Sequence, residues 1–321
     1  MKVFIPNSAS LQNIDYFLAN IDTNDNTRLH ISTHKDWINV HPLAVAMIAA
    51  LGKSVDSKQI SCDPITAPSG HYLKRIGLFD FLGINPVIKN IKEHELAGRL
   101  IPLVQIVTST DQDKFIEDLV PLLHLDRDPK HAEAIQHIFS ELIRNVLEHS
   151  KSTQGAIVCA QYYKRTNKIA IGVVDIGIGL KKSIQQSYTV LDDIRAIELA
   201  LSPGITGTTN KPGGTSDNAG FGLFLIKSIA YVNSDFFTII SGDKMYKLLK
   251  RQEEALKLKA NPFKDRHKIS NIRGWQGVAV GVDISLNQTG GFAAIMDMIW
   301  RFYAHEVRDL KKQHYKHPKF T

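Results

Sequence analysis

Apolar residues fall into strand-like and helix-like rhythms along the chain. RLHIST and KQISCDP read as short strands, and between them HPLAVAMIAALGK carries apolar residues at helical spacing. SGHYLKRIGLFDFLGI predicts a further helix, with Ser69 as its N-cap and Gly83 near its end. This β-α-β-α order predicts a small α/β domain over residues 1–95.

Residues 96–124 read as a connecting strand, GRLIPLVQIVTS, and a helix, STDQDKFIEDLVPLLHL, which Ser109 and Asp111 would cap. A long helix follows in DPKHAEAIQHIFSELIRNVLEHS, with Pro129 in the first turn, where a missing N–H costs nothing. GAIVCAQYYK and KIAIGVVDIG predict two strands joined by a polar turn at Arg165–Asn167. Residues 180–219 are mixed and rich in Gly, Thr and Ser. The helix GFGLFLIKSIAYV, the strand FFTIISG, a basic helical insertion at 244–268 and the strand GVAVGVDISL come next. The pattern predicts an α+β domain over 125–288, with helices on one face of a mixed, largely antiparallel sheet. Residues 289–321 predict one more amphipathic helix and a basic tail.

Composition narrows the class. A chain of 321 residues has room for two ordinary domains, and a mean hydropathy of −0.13 fits globular cores. The start, MKVFIPNSAS, lacks a basic segment leading into an apolar core, so no secretory signal is expected. The longest apolar run, PLAVAMIAALG, is about half of the roughly 20 residues a membrane span needs. Cys62 and Cys159 are far apart and lack metal-type spacing, which points to a reduced, cytoplasmic setting. The formal charge of +7 concentrates in residues 244–268 and the C-terminal tail. No base-reading motif accompanies it, so nucleic acid is not the favoured partner and a solvated basic face is the plainer reading.

Three segments carry candidate chemistry. On the long helix, Ile135, Ile138, Phe139, Leu142 and Val146 form an apolar stripe. Glu141, Asn145 and His149, spaced i, i+4, i+8, line the edge of that stripe. A carboxylate there suits proton acceptance from water, and a neutral carboxamide oxygen suits Mg²⁺. In VVDIGIGL a strand runs into Asp175, followed by Gly177 and Gly179. An aspartate in that place suits an exocyclic amine, and the glycines allow close backbone approach. In NAGFGL, Gly220 and Gly222 precede Leu223 at a helix start, where free N–H groups suit phosphate. Each segment alone also reads plainly, as a wet helix edge, a strand-ending turn and an ordinary helix start.

In this order the three resemble the GHKL ATPase superfamily, which includes DNA gyrase B, heat-shock chaperone ATPases, histidine kinases and MutL. ELIRNVLEH is similar to the N box, DIGIG to the D-x-G-x-G box and NAGFGL to the G-x-G-L box, with residues 180–219 where the ATP lid falls. The resemblance covers roughly residues 125–288. It implies ATP and Mg²⁺ as cofactors, with Asn145 on the metal, Asp175 on adenine, Gly177 and Gly179 shaping the base pocket, and Gly220, Gly222 and Leu223 at the phosphates. Glu141 matches the general-base position of the hydrolysing branch and of the anti-sigma serine kinases. One departure is Gly277–Val278, where the family's last strand usually offers Gly-Thr. HLDRDP at His124 matches a phospho-acceptor box, but Asn145 lies only 21 residues on, too close for the kinases' dimerisation hairpin.

With RLHISTHKDWINVHPLAVAMIAAL followed by HYLKRIGLFDFLGI, the domain at 1–95 looks similar to the STAS-type domains of anti-anti-sigma factors. Those carry a phosphorylatable Ser or Thr before the first helix, and NVHPLA carries none, so a docking or dimerisation module is expected. The expected function is a nucleotide-driven switch with Glu141-assisted ATP hydrolysis, acting on a protein partner or through self-association of the N-terminal domain. The alternatives are an anti-sigma-type serine/threonine kinase and a non-hydrolysing nucleotide sensor.

Overall fold

A computed structural model describes residues 1–89, 100–122, 129–214, 220–253, 255–286 and 292–315. His124, the end of the expected lid and the last residues of the basic tail lie outside the described residues. Secondary structure divides between two main sheets, which makes this an α+β protein.

The first sheet contains β1 (Lys2–Ile5), β3 (Ile21–Asp22), β4 (Leu29–Thr33) and β6 (Ile60–Cys62), in the order β3-β1-β4-β6. β1 runs parallel to β4, and β4 parallel to β6, while β3 is antiparallel. A two-strand pair, β2 (Ser8–Ala9) and β5 (Asn39–Val40), and helix α1 (Ile14–Ala19) complete this side. α2 (Pro42–Lys53) is apolar all round and buried from Pro42 to Gly52, as expected of a helix enclosed on every side. His41 caps it by accepting the Leu43 N–H on Nδ1 at 3.0 Å. The single helix expected over residues 69–84 is broken. α3 (His71–Arg75) and α4 (Leu78–Leu82) are separated at Gly77, whose φ of +80° no helix interior accommodates. Ser69 is not an N-cap, because its Oγ instead accepts the Ile38 N–H at 2.7 Å.

The second sheet is wholly antiparallel, in the order β10-β11-β9-β8-β7. Its strands are β7 (Leu100–Ile106), β8 (Ala156–Tyr163), β9 (Lys168–Val174), β10 (Phe237–Leu248) and β11 (His267–Ser285). One face carries α5 (Ser109–Leu122), α6 (Pro129–His149), α9 (Gly222–Val232) and α10 (Phe292–Tyr315), whose buried side chains share a core with Val158, Ile171 and Val280. α7 (Gly179–Ile184) and α8 (Asp193–Ala200) lie between β9 and α9 in the chain. The expected stripe of α6, Ile135 through Val146, is buried in this core. The α5 cap is Thr108 rather than Ser109: Thr108 Oγ1 accepts the Asp111 N–H, and Asp111 Oδ2 accepts the Thr108 N–H.

Of the residues expected as a basic helical insertion, 244–248 and 267–268 pair instead in the outer half of the β10–β11 hairpin, Lys244↔Asn271 through Leu248↔His267, and the described residues between them are loop with one 3-10 turn at Pro262–Lys264. Tyr246, Phe263 and His267 stack there at 5.2–6.0 Å, and the Tyr246 hydroxyl donates to the Pro262 carbonyl at 2.9 Å. These contacts outweigh the helix propensity of the Leu, Lys and Glu residues around them.

The helix-free face of the second sheet is not bare, because α2 docks on it. Ile157, Cys159 and Val174 point into the same core as Leu43 and Met47. Two glycines make the approach possible. A Cβ at Gly172 would stand 2.4 Å from the Leu43 nitrogen, and one at Gly281 would stand 2.8 Å from the Leu43 Cδ2. Asp15, accepting from Lys247 and from Lys268 (2.9 Å), ties α1 to the hairpin. Fully burying side chains such as Leu43 and Met47 is worth about 1.5–3 kcal/mol each, enough to hold the two parts together.

Candidate functional site

Chain topology brings the three candidate segments to one end of the second sheet. Glu141, Asn145, Asp175, Gly179, Gly220, Gly222 and Leu223 all line one cavity of about 900 Å³, part of it open to solvent. α6 forms one wall, Val173, Val278 and Val280 the sheet side, and Thr206 and Gly207 of the expected lid another edge.

Gly177 is the exception and does not line this cavity. It faces a groove on the other side of its loop. A Cβ there would stand 2.1 Å from the Ser150 carbonyl oxygen, so this glycine serves the packing of the loop on the end of α6. The same carbonyl accepts the Ile178 N–H at 2.8 Å.

Asp175 follows β9, and its N–H donates to the Val278 carbonyl of β11 at 2.8 Å. Its Oδ1 accepts the Gly177 N–H at 2.7 Å, an Asx-type turn that fixes the carboxylate. The residue is 2% exposed. Burial pushes its carboxyl from the ordinary 3.8 up to about 6, against the pull of the Gly177 and Val278 hydrogen bonds. A buried carboxylate of this kind gains from a donor that enters the cavity. Val278 offers only its main chain to Asp175, so the departure from Gly-Thr leaves no hydroxyl at that position.

On α6, the Asn145 Nδ2 donates to the Glu141 carbonyl at 2.7 Å, leaving its oxygen as the end that suits a cation. Glu141 is buried, and both of its carboxylate oxygens accept from Arg144 Nη2, at 2.7 and 2.9 Å. Arg144 lines the cavity and is half exposed. It is a residue the sequence reading passed over, although the i,i+3 spacing of Glu141 and Arg144 in ELIRN signals such a pair. Thr206, buried in the segment expected as a lid, was also passed over, and no local pattern marks it.

α9 starts at Gly222 without a side-chain cap, so the N–H groups of its first turn are not taken by a capping oxygen. A Cβ on Gly222 would lie 2.5 Å from Glu141 Oε2 and 3.1 Å from Asn145 Nδ2. Glycine is what lets α9 begin directly against the polar row of α6. Gly220, at φ +68°, accepts the Gly204 N–H on its carbonyl at 3.0 Å, which joins the 180–219 segment to the start of α9.

Among the described residues no group of three or more His, Cys, Asp or Glu side chains could hold a metal ion. A divalent cation at Asn145 would therefore be completed by waters and by oxygens of the bound ligand, the usual manner of Mg²⁺ in phosphate sites. No described helix is long and apolar enough to cross a membrane. No family model matches the chain, and no curated protein is detectably similar to it.

Proposed function

We propose that this chain is an Mg²⁺-dependent ATP-binding protein of the GHKL type that hydrolyses ATP and uses the cycle as a conformational switch on a protein partner. One observation carries the reading: seven residues from three segments far apart in sequence line a single cavity, with chemistry suited to each part of a nucleotide. The Asp175 carboxylate would accept from the adenine amine. The first-turn N–H groups of α9 and the turn at Gly220 would receive phosphate oxygens. The Asn145 oxygen would ligate Mg²⁺, which when bound neutralises phosphate charge.

Glu141 would take the proton of the attacking water. The water oxygen bonds to the γ-phosphorus, the bond from that phosphorus to the β-γ bridging oxygen breaks, and ADP leaves with the bond's electron pair. Arg144 occupies both Glu141 oxygens, so the guanidinium must let go before Glu141 can reach a water. Phosphate is a natural acceptor for the freed guanidinium. This pair also supports a second reading, a nucleotide sensor that binds without turnover because the Glu141–Arg144 pair persists.

A phosphate-release assay separates the two. Hydrolysis predicts Mg²⁺-dependent turnover in the wild type, lost by about 100-fold in Glu141→Ala. Asn145→Ala is expected to lose the metal dependence of binding. Wild-type protein that binds ATP and releases no phosphate, alone or with partners, leaves the sensor.

A further inference from the structure

Behind the loop that holds Asp175 lies a second depression of about 1500 Å³, open to solvent. Lys53 at the end of α2, Lys151 just after α6, and Lys181 and Lys182 on α7 all line it. Three of these lysines are exposed and Lys181 is half-buried. Among the described residues none of the four is in an ion pair, and Lys53 alone has another partner, its ammonium lying 4.6 Å from the centre of the Phe81 ring. The one carboxylate in the lining, Asp193, already accepts the Asp243 N–H at 3.1 Å. Lys151 also holds a left-handed backbone, φ +52°, at a helix-end position where glycine is the ordinary occupant.

From this we infer that the groove binds the phosphate backbone of a nucleic acid, without reading its sequence. Lysines act as point charges for phosphate, and Ser152 and Gln154 beside them, whose side-chain oxygens accept from the Gln154 N–H and from Gln105, are the hydroxyl and amide types that commonly accompany backbone contacts. A carboxylate-rich peptide would be better matched by the bidentate fork of arginine, and no arginine lines the groove. Trp275 is 6% exposed and presents no ring for base stacking, so a duplex fits better than a splayed single strand. The site is separate from the nucleotide cavity, and Gly179 is part of both walls.

The test is fluorescence anisotropy with a labelled mixed-sequence DNA duplex and no nucleotide present, across a salt series. Four phosphate contacts predict a log–log salt slope of about −3 to −4, or roughly 100-fold weaker binding between about 50 and about 200 mM salt. Lys151→Ala/Lys181→Ala/Lys182→Ala, with its urea midpoint unchanged, is expected to flatten the slope to about −1. Lys257→Ala/Lys264→Ala, which removes exposed charges of the distant hairpin, is expected to leave it unchanged. The proposal is overturned by any of four results: no duplex binding at low salt, binding the groove variant leaves intact, binding lost in the hairpin variant instead, or displacement by a polyglutamate peptide more readily than by unlabelled duplex.

Discussion

Asp175 carries two burdens at once. It is buried and held by main-chain hydrogen bonds, yet its carboxyl is pushed from 3.8 up to about 6. A folded-state value above the unfolded one means that the group favours folding while protonated. That contribution is complete below about pH 4 and is lost as the pH rises through about 6. Asp175→Asn cannot ionise and should escape the loss. In urea denaturation it is expected to gain about 2 kcal/mol over wild type between about pH 4.5 and about pH 7.5. An unchanged difference across that range would mean the carboxylate is well solvated. The same residue should bind adenine nucleotide less well as an amide, so stability and binding are expected to move in opposite directions.

At the level of elements, α9 is fastened at both ends of its role. Its first turn meets Glu141 and Asn145, and further along Lys227, 1% exposed, donates to Asp265 of the hairpin at 2.6 Å. Removing one member of a buried pair leaves the other charge uncompensated, at a cost of about 3–5 kcal/mol. Asp265→Ala is expected to destabilise by that amount, and Lys227→Met/Asp265→Leu to recover most of it, both read from urea midpoints. A single-variant loss below about 1 kcal/mol would show the pair to be solvated.

The two helices nearest the cavity were readable in the sequence because their apolar periodicity and glycine or proline starts agree with their tertiary positions. The hairpin was not, because KLLKRQEEALKLK is rich in helix formers, whereas β10 ends at Leu248, two residues into that stretch, and partners distant in sequence, Phe263 and His267, stack on Tyr246 beside it. Gly77 was overlooked for a related reason, since one glycine inside an apolar pattern leaves the periodicity intact while its positive φ ends the helix. Seven of the eight candidate site residues meet in the cavity, and Gly177 misses it because a glycine needed for packing looks in sequence like one needed for a ligand.

Across the whole molecule, the N-terminal part is seated on the back of the sheet whose front forms the cavity. AIVCA and IAIGVV, apolar without alternation, carried the sign of a sheet covered on both faces. Glycine in a strand ordinarily gains stability on mutation to alanine. At Gly172 the added carbon would meet Pro42 and Leu43 main chain within 2.6 Å. Gly172→Ala is therefore expected to destabilise by about 1–3 kcal/mol and to raise proteolysis of the N-terminal part. A neutral or stabilising effect would contradict the docking of α2. Seated this way, the N-terminal part shares a core with Val174 and Trp275, and the Trp275 ring N–H donates to the Asp175 carbonyl at 3.3 Å.

The most direct measurement is a calorimetric titration of the wild type and Asp175→Asn with ATP and with GTP, in Mg²⁺ at about pH 7.5. The wild type should bind ATP saturably and GTP at least about tenfold more weakly, and Asp175→Asn should lose that preference. Equal binding of the two nucleotides by the wild type, or a preference that survives in Asp175→Asn, would contradict the assignment of this cavity to an adenine nucleotide.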